Sequence, residues 1–116
     1  MQKVEKWRVE ELALLLKELC ELLRNGDNYE WASVFSHFHD ETKIIISKND
    51  FDLDSLEKLI KNIRNSFSRG SSLTTLILSH ENTEMKKRLN QDFSRARARI
   101  IGILKDMEYR TIETIN

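Results

Sequence analysis

Phe67-Ser68-Arg69-Gly70-Ser71-Ser72-Leu73-Thr74-Thr75-Leu76-Ile77-Leu78 is the one long break in a chain that otherwise reads as helix. Proline is absent, so helices run until another signal stops them. Here the signal is a Gly-Ser-Ser turn followed by a short apolar run. Such a segment either joins two halves of a bundle or carries a site. It offers the hydroxyls of Ser71, Ser72, Thr74 and Thr75 but no acid, base or ligand set. The first role is therefore expected, with Leu73, Leu76 and Leu78 plugging the core between the helices on either side.

Upstream of the break, three helices are expected. The first runs from about Lys3 to Arg24, with Val4, Leu12, Leu15, Leu16, Leu19, Leu22 and Leu23 on one side. It stops at Asn25-Gly26, where glycine can take the left-handed conformation that ends a helix. Asp27 or Asn28 caps the second helix, whose stripe is Trp31, Val34, Phe35 and Phe38. Ile44-Ile45-Ile46 has strand propensity, but no other strand can pair with it, so it is read as helix ending at Asn49-Asp50. The third helix opens near Asp52, with Asp54 and Glu57 spaced as a capping box. Leu56, Leu59, Ile60, Ile63 and Phe67 form its stripe, and Gly70 ends it.

Downstream, Asn82 or Thr83 caps a last helix reaching about Thr114. Met85, Leu89, Phe93, Ala96, Ile100, Ile103 and Met107 recur as a near-heptad seam. Gly102 within it either costs about 1 kcal/mol or permits close packing. The expected fold is all-α: an antiparallel bundle of four main helices in a single domain, residues 1–116, with a short irregular segment between the third and fourth.

The order of these features resembles that of a family of small helical bacterial proteins with no assigned activity. Its pattern is a leucine-rich helix, a glycine turn, a Trp-Ala-x-x-Phe helix, and a Phe-Gly-Gly-Met-Gly-Ser-Leu-Asn-Asp-Leu-Val-Leu-like segment before a final helix. Gly26, Trp31, Ala32 and Phe35 match the first part. Phe67, Ser72, Leu73, Leu76 and Leu78 match the second, Ile77 is a conservative replacement, and Asn82 starts the last helix. The family's glycines fall on Ser68, Arg69 and Ser71 here, and its Asn-Asp pair on Thr74-Thr75. The resemblance implies a helical fold and no reaction. By analogy, small bacterial proteins of this kind resemble immunity proteins, which bind and block a toxin.

Composition narrows the function classes. Net charge is zero, so no global field draws the chain to nucleic acid or membrane. The longest apolar run, Leu12 to Leu16, is far short of a membrane span. The amino-terminal residues lack a signal-peptide core, and with a single cysteine, Cys20, the expected location is cytoplasmic. His37 and His39 point about 200° apart on a helix, and His37 with Glu41 makes only two ligands, so neither metal nor cofactor is expected. Cys20, on the flank of the first helix's stripe, reads as a small buried hydrophobe. No enzymatic constellation is present.

Three charged surfaces are candidates for a partner. On the first helix, Trp7 and Leu14 lie away from the core stripe, flanked by Glu10, Glu11, Glu18 and Glu21. An aromatic anchor in an acidic rim suits a basic protein, and the bland alternative is that this helix lies deep in the bundle. Asp50, Asp52, Asp54 and Glu57 gather at the start of the third helix, partly for capping. Arg88, Arg95 and Arg99 stripe the last helix and could track a phosphate backbone, but no aromatics accompany them. The expectation is a non-enzymatic protein-binding protein, an immunity protein that occludes a basic toxin. The alternative is a nucleic-acid-binding regulator using the arginine stripe. A homodimer through Trp7 and Leu14 is compatible with either.

Overall fold

The computed structural model describes residues 5–48, 52–68 and 71–115. Four α-helices make an all-α bundle: α1 (Lys6–Asn25), α2 (Tyr29–Ser47), α3 (Leu53–Ser66) and α4 (Thr83–Ile115). A short 3-10 turn, Ser72–Thr74, lies in the connection between α3 and α4. Among the described residues no strand is present, and Ile44 to Ile46 are helical. Val4, Asn49, Asp50, Arg69 and Gly70, invoked above, lie outside the described residues.

The core is built around α1. Val9, Leu12, Leu15, Leu16, Leu19 and Leu23 are essentially without solvent contact, and Leu22 is only partly buried against them. From α2 come Ala32, Phe35, Phe38 and Ile45, and from α3 Leu56, Leu59, Ile60 and Ile63. Phe35 sits at the junction. Its ring meets Phe38 edge-on at 5.5 Å, Phe67 at 5.7 Å and Trp31 at 6.2 Å between centroids. Such tilted pairs add to the burial of each ring. Thr42, buried among them, satisfies its hydroxyl by donating to the Phe38 carbonyl at 2.7 Å.

The turn after α1 and the caps of α2 and α3 differ from expectation in an informative way. The turn after α1 is a Schellman motif: Asn28 N–H donates to the Leu23 carbonyl at 2.8 Å, and Asp27 N–H to that of Arg24 at 3.1 Å. The left-handed residue in it is Asp27, at φ 59°, not Gly26, which sits at φ −93°. Glycine is required at 26 for another reason. A Cβ there would lie 2.6 Å from the Cβ of Leu78. Asn28, rather than Asp27, caps α2 by accepting from Trp31 N–H at 3.1 Å. At α3 the cap is Asp52 with Ser55, displacing the expected Asp54–Glu57 box: Asp52 accepts from both the backbone N–H and the hydroxyl of Ser55. Asn82 caps α4, accepting from Glu84 and Met85 N–H.

The α4 seam holds from Leu89 onward through Phe93, Ala96, Ile100 and Met107, with Leu104 added and Ile103 only partly buried. Met85 departs from it and is 46% exposed, as is every residue from Glu81 to Arg88 to some large degree. The contacts explain this. The Arg8 guanidinium bonds Asp106, fixing the start of α1 beside the far part of α4. Stepping back along α4 from Asp106 by as many residues as lead from Arg8 to Gly26 reaches Arg88. Helix before that point has run past the end of α1 and has nothing to cover it.

Gly102 is exposed, and a Cβ added there meets nothing within 4 Å. Close packing is therefore not its role. Gly102→Ala is expected to raise unfolding free energy by about 0.5–1 kcal/mol, from helix propensity and reduced freedom of the unfolded chain. A higher urea midpoint at unchanged slope would show it, and an unchanged or lower midpoint would contradict it.

The connecting segment is strapped down rather than loose. Leu73 and Leu78 are fully buried, Leu76 partly, and Ile77 points outward. Ser71 donates its hydroxyl to the Ser66 carbonyl at 2.7 Å and closes the turn after α3. Two α4 side chains then hold the segment. Arg97 Nη1 donates to the carbonyls of Leu73 and Thr74 at 3.0 and 3.1 Å. Asn90 accepts from Leu78 N–H at 2.7 Å and donates to the Leu78 carbonyl at 3.0 Å. The expected plug is thus present, carried by Leu73 and Leu78.

Candidate functional site

The α1 face is exposed, which removes the deep-helix alternative. Trp7 is 49% and Leu14 68% accessible, in a helix whose neighbouring leucines are at or below 2%. Glu10, Glu18 and Glu21 are also exposed. The Trp7 ring is held from two sides. Its Nε1 donates to the Glu5 carboxylate, and the Arg8 guanidinium lies 4.4 Å from its centroid. Arg8 is itself fixed by Asp106. An aromatic ring held in place loses less freedom on binding than a mobile one.

Beside this stripe, α1 and α2 leave a groove of about 460 Å³. Ala13, Leu14 and Ile46 supply its apolar surface, and Glu10 and Ser47 stand with Lys17, His39 and Lys43 around it. The acidic rim is therefore one-sided. Lys17 and Lys43 break it, while Glu10 stands at the groove itself and Glu18 and Glu21 are exposed farther along α1. Ile46 has no special signal in sequence beyond its place in the β-branched run. The groove becomes visible only when α2 is packed against α1.

The α3 acids do not join this face, since no α3 residue lines the groove. Asp50 lies outside the described residues. Asp52 is committed to its cap. The Ser55 hydroxyl and backbone N–H hold its carboxyl below the ordinary 3.8, with Lys48 contributing less. Asp54 is exposed in the first turn of α3, where the helix dipole favours an acid.

Arg88, Arg95 and Arg99 are all exposed on α4. Arg97, between two members of the stripe in sequence, does not join it: it turns inward to the Leu73 and Thr74 carbonyls and lies over Phe93. Arg95 also stands 3.9 Å from the Asp92 carboxylate. His37 pairs with Glu41 at 2.6 Å, and among the described residues no three His, Cys, Asp or Glu side chains gather to hold a metal ion. Cys20 is buried, its thiol donating to the Ala32 carbonyl at 3.3 Å. Among the described residues no helix is long and apolar enough to cross a membrane.

Sequence reasoning missed Asn90 and the inward role of Arg97. Asparagine is a poor helix former, and Asn90 stands mid-helix beside Leu89, which is a signal that it has work outside the helix. Arg97 has no comparable mark among its basic neighbours. A scan against protein-family models, a search of curated proteins and a search of solved structures each return no match for this chain.

Proposed function

We propose that this chain is a non-enzymatic protein-binding domain that acts as a cytoplasmic bacterial immunity protein, occluding a basic toxin with the outer face of α1. The observation that carries the reading is the pair Trp7 and Leu14, exposed together with Glu10, Glu18 and Glu21 on a helix whose opposite face is buried leucine. Isolated exposed apolar residues need no explanation, but an orientation-fixed tryptophan beside an open apolar groove is the form of a hot spot. The glutamates complement a basic partner and would speed encounter more than they add affinity. The resemblance of the Trp31-Ala32 and Phe67–Leu78 motifs to a family of small bacterial proteins supports the setting. Neutralisation by occlusion needs no reactive group on this chain, only a surface that covers the toxin's own site.

The test is calorimetric titration with the product of the adjacent upstream gene, in its inactive form. Parent protein is expected to bind, and Leu14→Glu or Trp7→Ala to weaken binding by 2 kcal/mol or more, about thirtyfold. Both side chains are solvent-facing, so thermal unfolding of the variants should match the parent within about 0.5 kcal/mol. Absence of binding, or tight binding untouched by both substitutions, would sink the proposal.

A further inference from the structure

Between the end of α3 and the second half of α4 lies a second cleft, which shares no lining residue with the α1 groove. Its volume is about 380 Å³, within the range of about 300–1,000 Å³ of small-molecule sites. Phe67, Ile101 and Leu104 make its apolar floor. The floor is firm: Leu104 is buried and Phe67 stacks on Phe35 at the centre of the core. Arg64, Lys105 and Glu108 stand around it.

The charges there do not cancel. Arg64 Nη1 meets the Glu108 carboxylate at 2.6 Å, which neutralises one cation. Lys105, one turn before Glu108 on the same helix, makes no ion pair among the described residues. Among the described residues that line the cleft, one positive charge is left over an apolar floor. Arg64 meets Glu108 through Nη1, which leaves guanidinium N–H groups facing away from that carboxylate. We infer that this cleft binds a small amphipathic carboxylate, its apolar body on Phe67, Ile101 and Leu104 and its carboxylate against Lys105 and the free side of Arg64. An uncharged molecule of the same shape would use the floor but leave the ammonium unpaired. An amine would place a second cation against it.

This inference is independent of the α1 face, and its test leaves that reading untouched. Octanoate, octanol and octylamine serve as probes, followed by two-dimensional amide NMR on the intact chain. Octanoate is expected to shift the amides of Phe67, Ile101 and Leu104 saturably, and to bind about tenfold or more tighter than octanol. Lys105→Glu is a solvent-facing change that preserves the fold, and it should reverse the order so that octylamine binds best. Lys105→Met should bring octanoate and octanol close together. Equal binding of octanoate and octanol by the parent, indifference to Lys105→Glu, or shifts centred on Trp7 and Leu14 instead would overturn the assignment.

Discussion

Arg97→Met and Asn90→Leu are each expected to lower unfolding free energy by about 2–3 kcal/mol, and their double variant by clearly less than the sum. Arg97 gives two charge-assisted bonds to partly buried carbonyls, at 3.0 and 3.1 Å. Methionine keeps much of the stem that lies over Phe93 and removes the donors, so the loss isolates the bonds. Asn90 satisfies both backbone groups of Leu78, at 2.7 and 3.0 Å. Leucine has similar bulk and can satisfy neither. A buried donor or acceptor left alone costs about 1–3 kcal/mol. The two positions are seven residues apart on one helix, about 10 Å, a distance at which independent effects normally add. Sub-additivity by 0.5 kcal/mol or more is expected here because both grip one segment. Once either grip fails, the segment from Leu73 to Leu78 lifts and the second bond is already lost. Urea unfolding of the four proteins measures it. Strict additivity would mean that the strap does not move as a unit, and losses below about 0.5 kcal/mol would mean that it is not held by these bonds.

That pair of residues also marks where sequence reading stops. The stripes of α1, α2 and α3 were legible because a buried helix face repeats every three to four residues, and Leu12, Leu16, Leu19, Phe35, Leu59 and Ile63 obey that repeat. The helical state of Ile44 to Ile46 followed from the lack of any strand to pair with. Met85 obeys the same repeat and is exposed, because periodicity reports a helix face but not where its neighbour ends. Arg97 carries no mark of its role in the sequence, since its inward turn depends on carbonyls that only the packed strap presents. On the candidate face, the position of Trp7 and Leu14 away from the leucine stripe was legible, but their exposure was not, since a helix apolar nearly all round can also lie deep in a bundle. Part of the rim's interruption was legible as well, since Lys17 is on α1 itself; the rest was not, because Lys43 comes from α2, and one helix's wheel cannot show what its neighbour adds.

Gly26 gives the second large effect, and it separates two reasons for a glycine. If Gly26 were required for a left-handed backbone, asparagine would replace it better than alanine, because asparagine visits that region most readily among the other residues. The observed φ of −93° and ψ of 16° are open to any residue. The obstacle is space. The Leu78 Cβ lies 2.6 Å from where a Cβ at 26 would be, and this atom is fixed to the strap backbone rather than being the free end of a side chain. Gly26→Ala is therefore expected to cost about 1–3 kcal/mol by overpacking, and Gly26→Asn at least as much. The damage should be local first: hydrogen exchange at the Leu78 amide, which donates to Asn90, should quicken more than exchange at Leu16 or Leu19. Asp27 is the left-handed residue, so Asp27→Gly should be tolerated within about 1 kcal/mol. A finding that Gly26→Asn is mild while Gly26→Ala is severe would restore the conformational reading and place Leu78 farther from the turn. The opposite order ties the end of α1 to the strap, and makes the glycine of the Asn25-Gly26 turn a requirement set by the break seventy residues into the chain rather than by the turn itself.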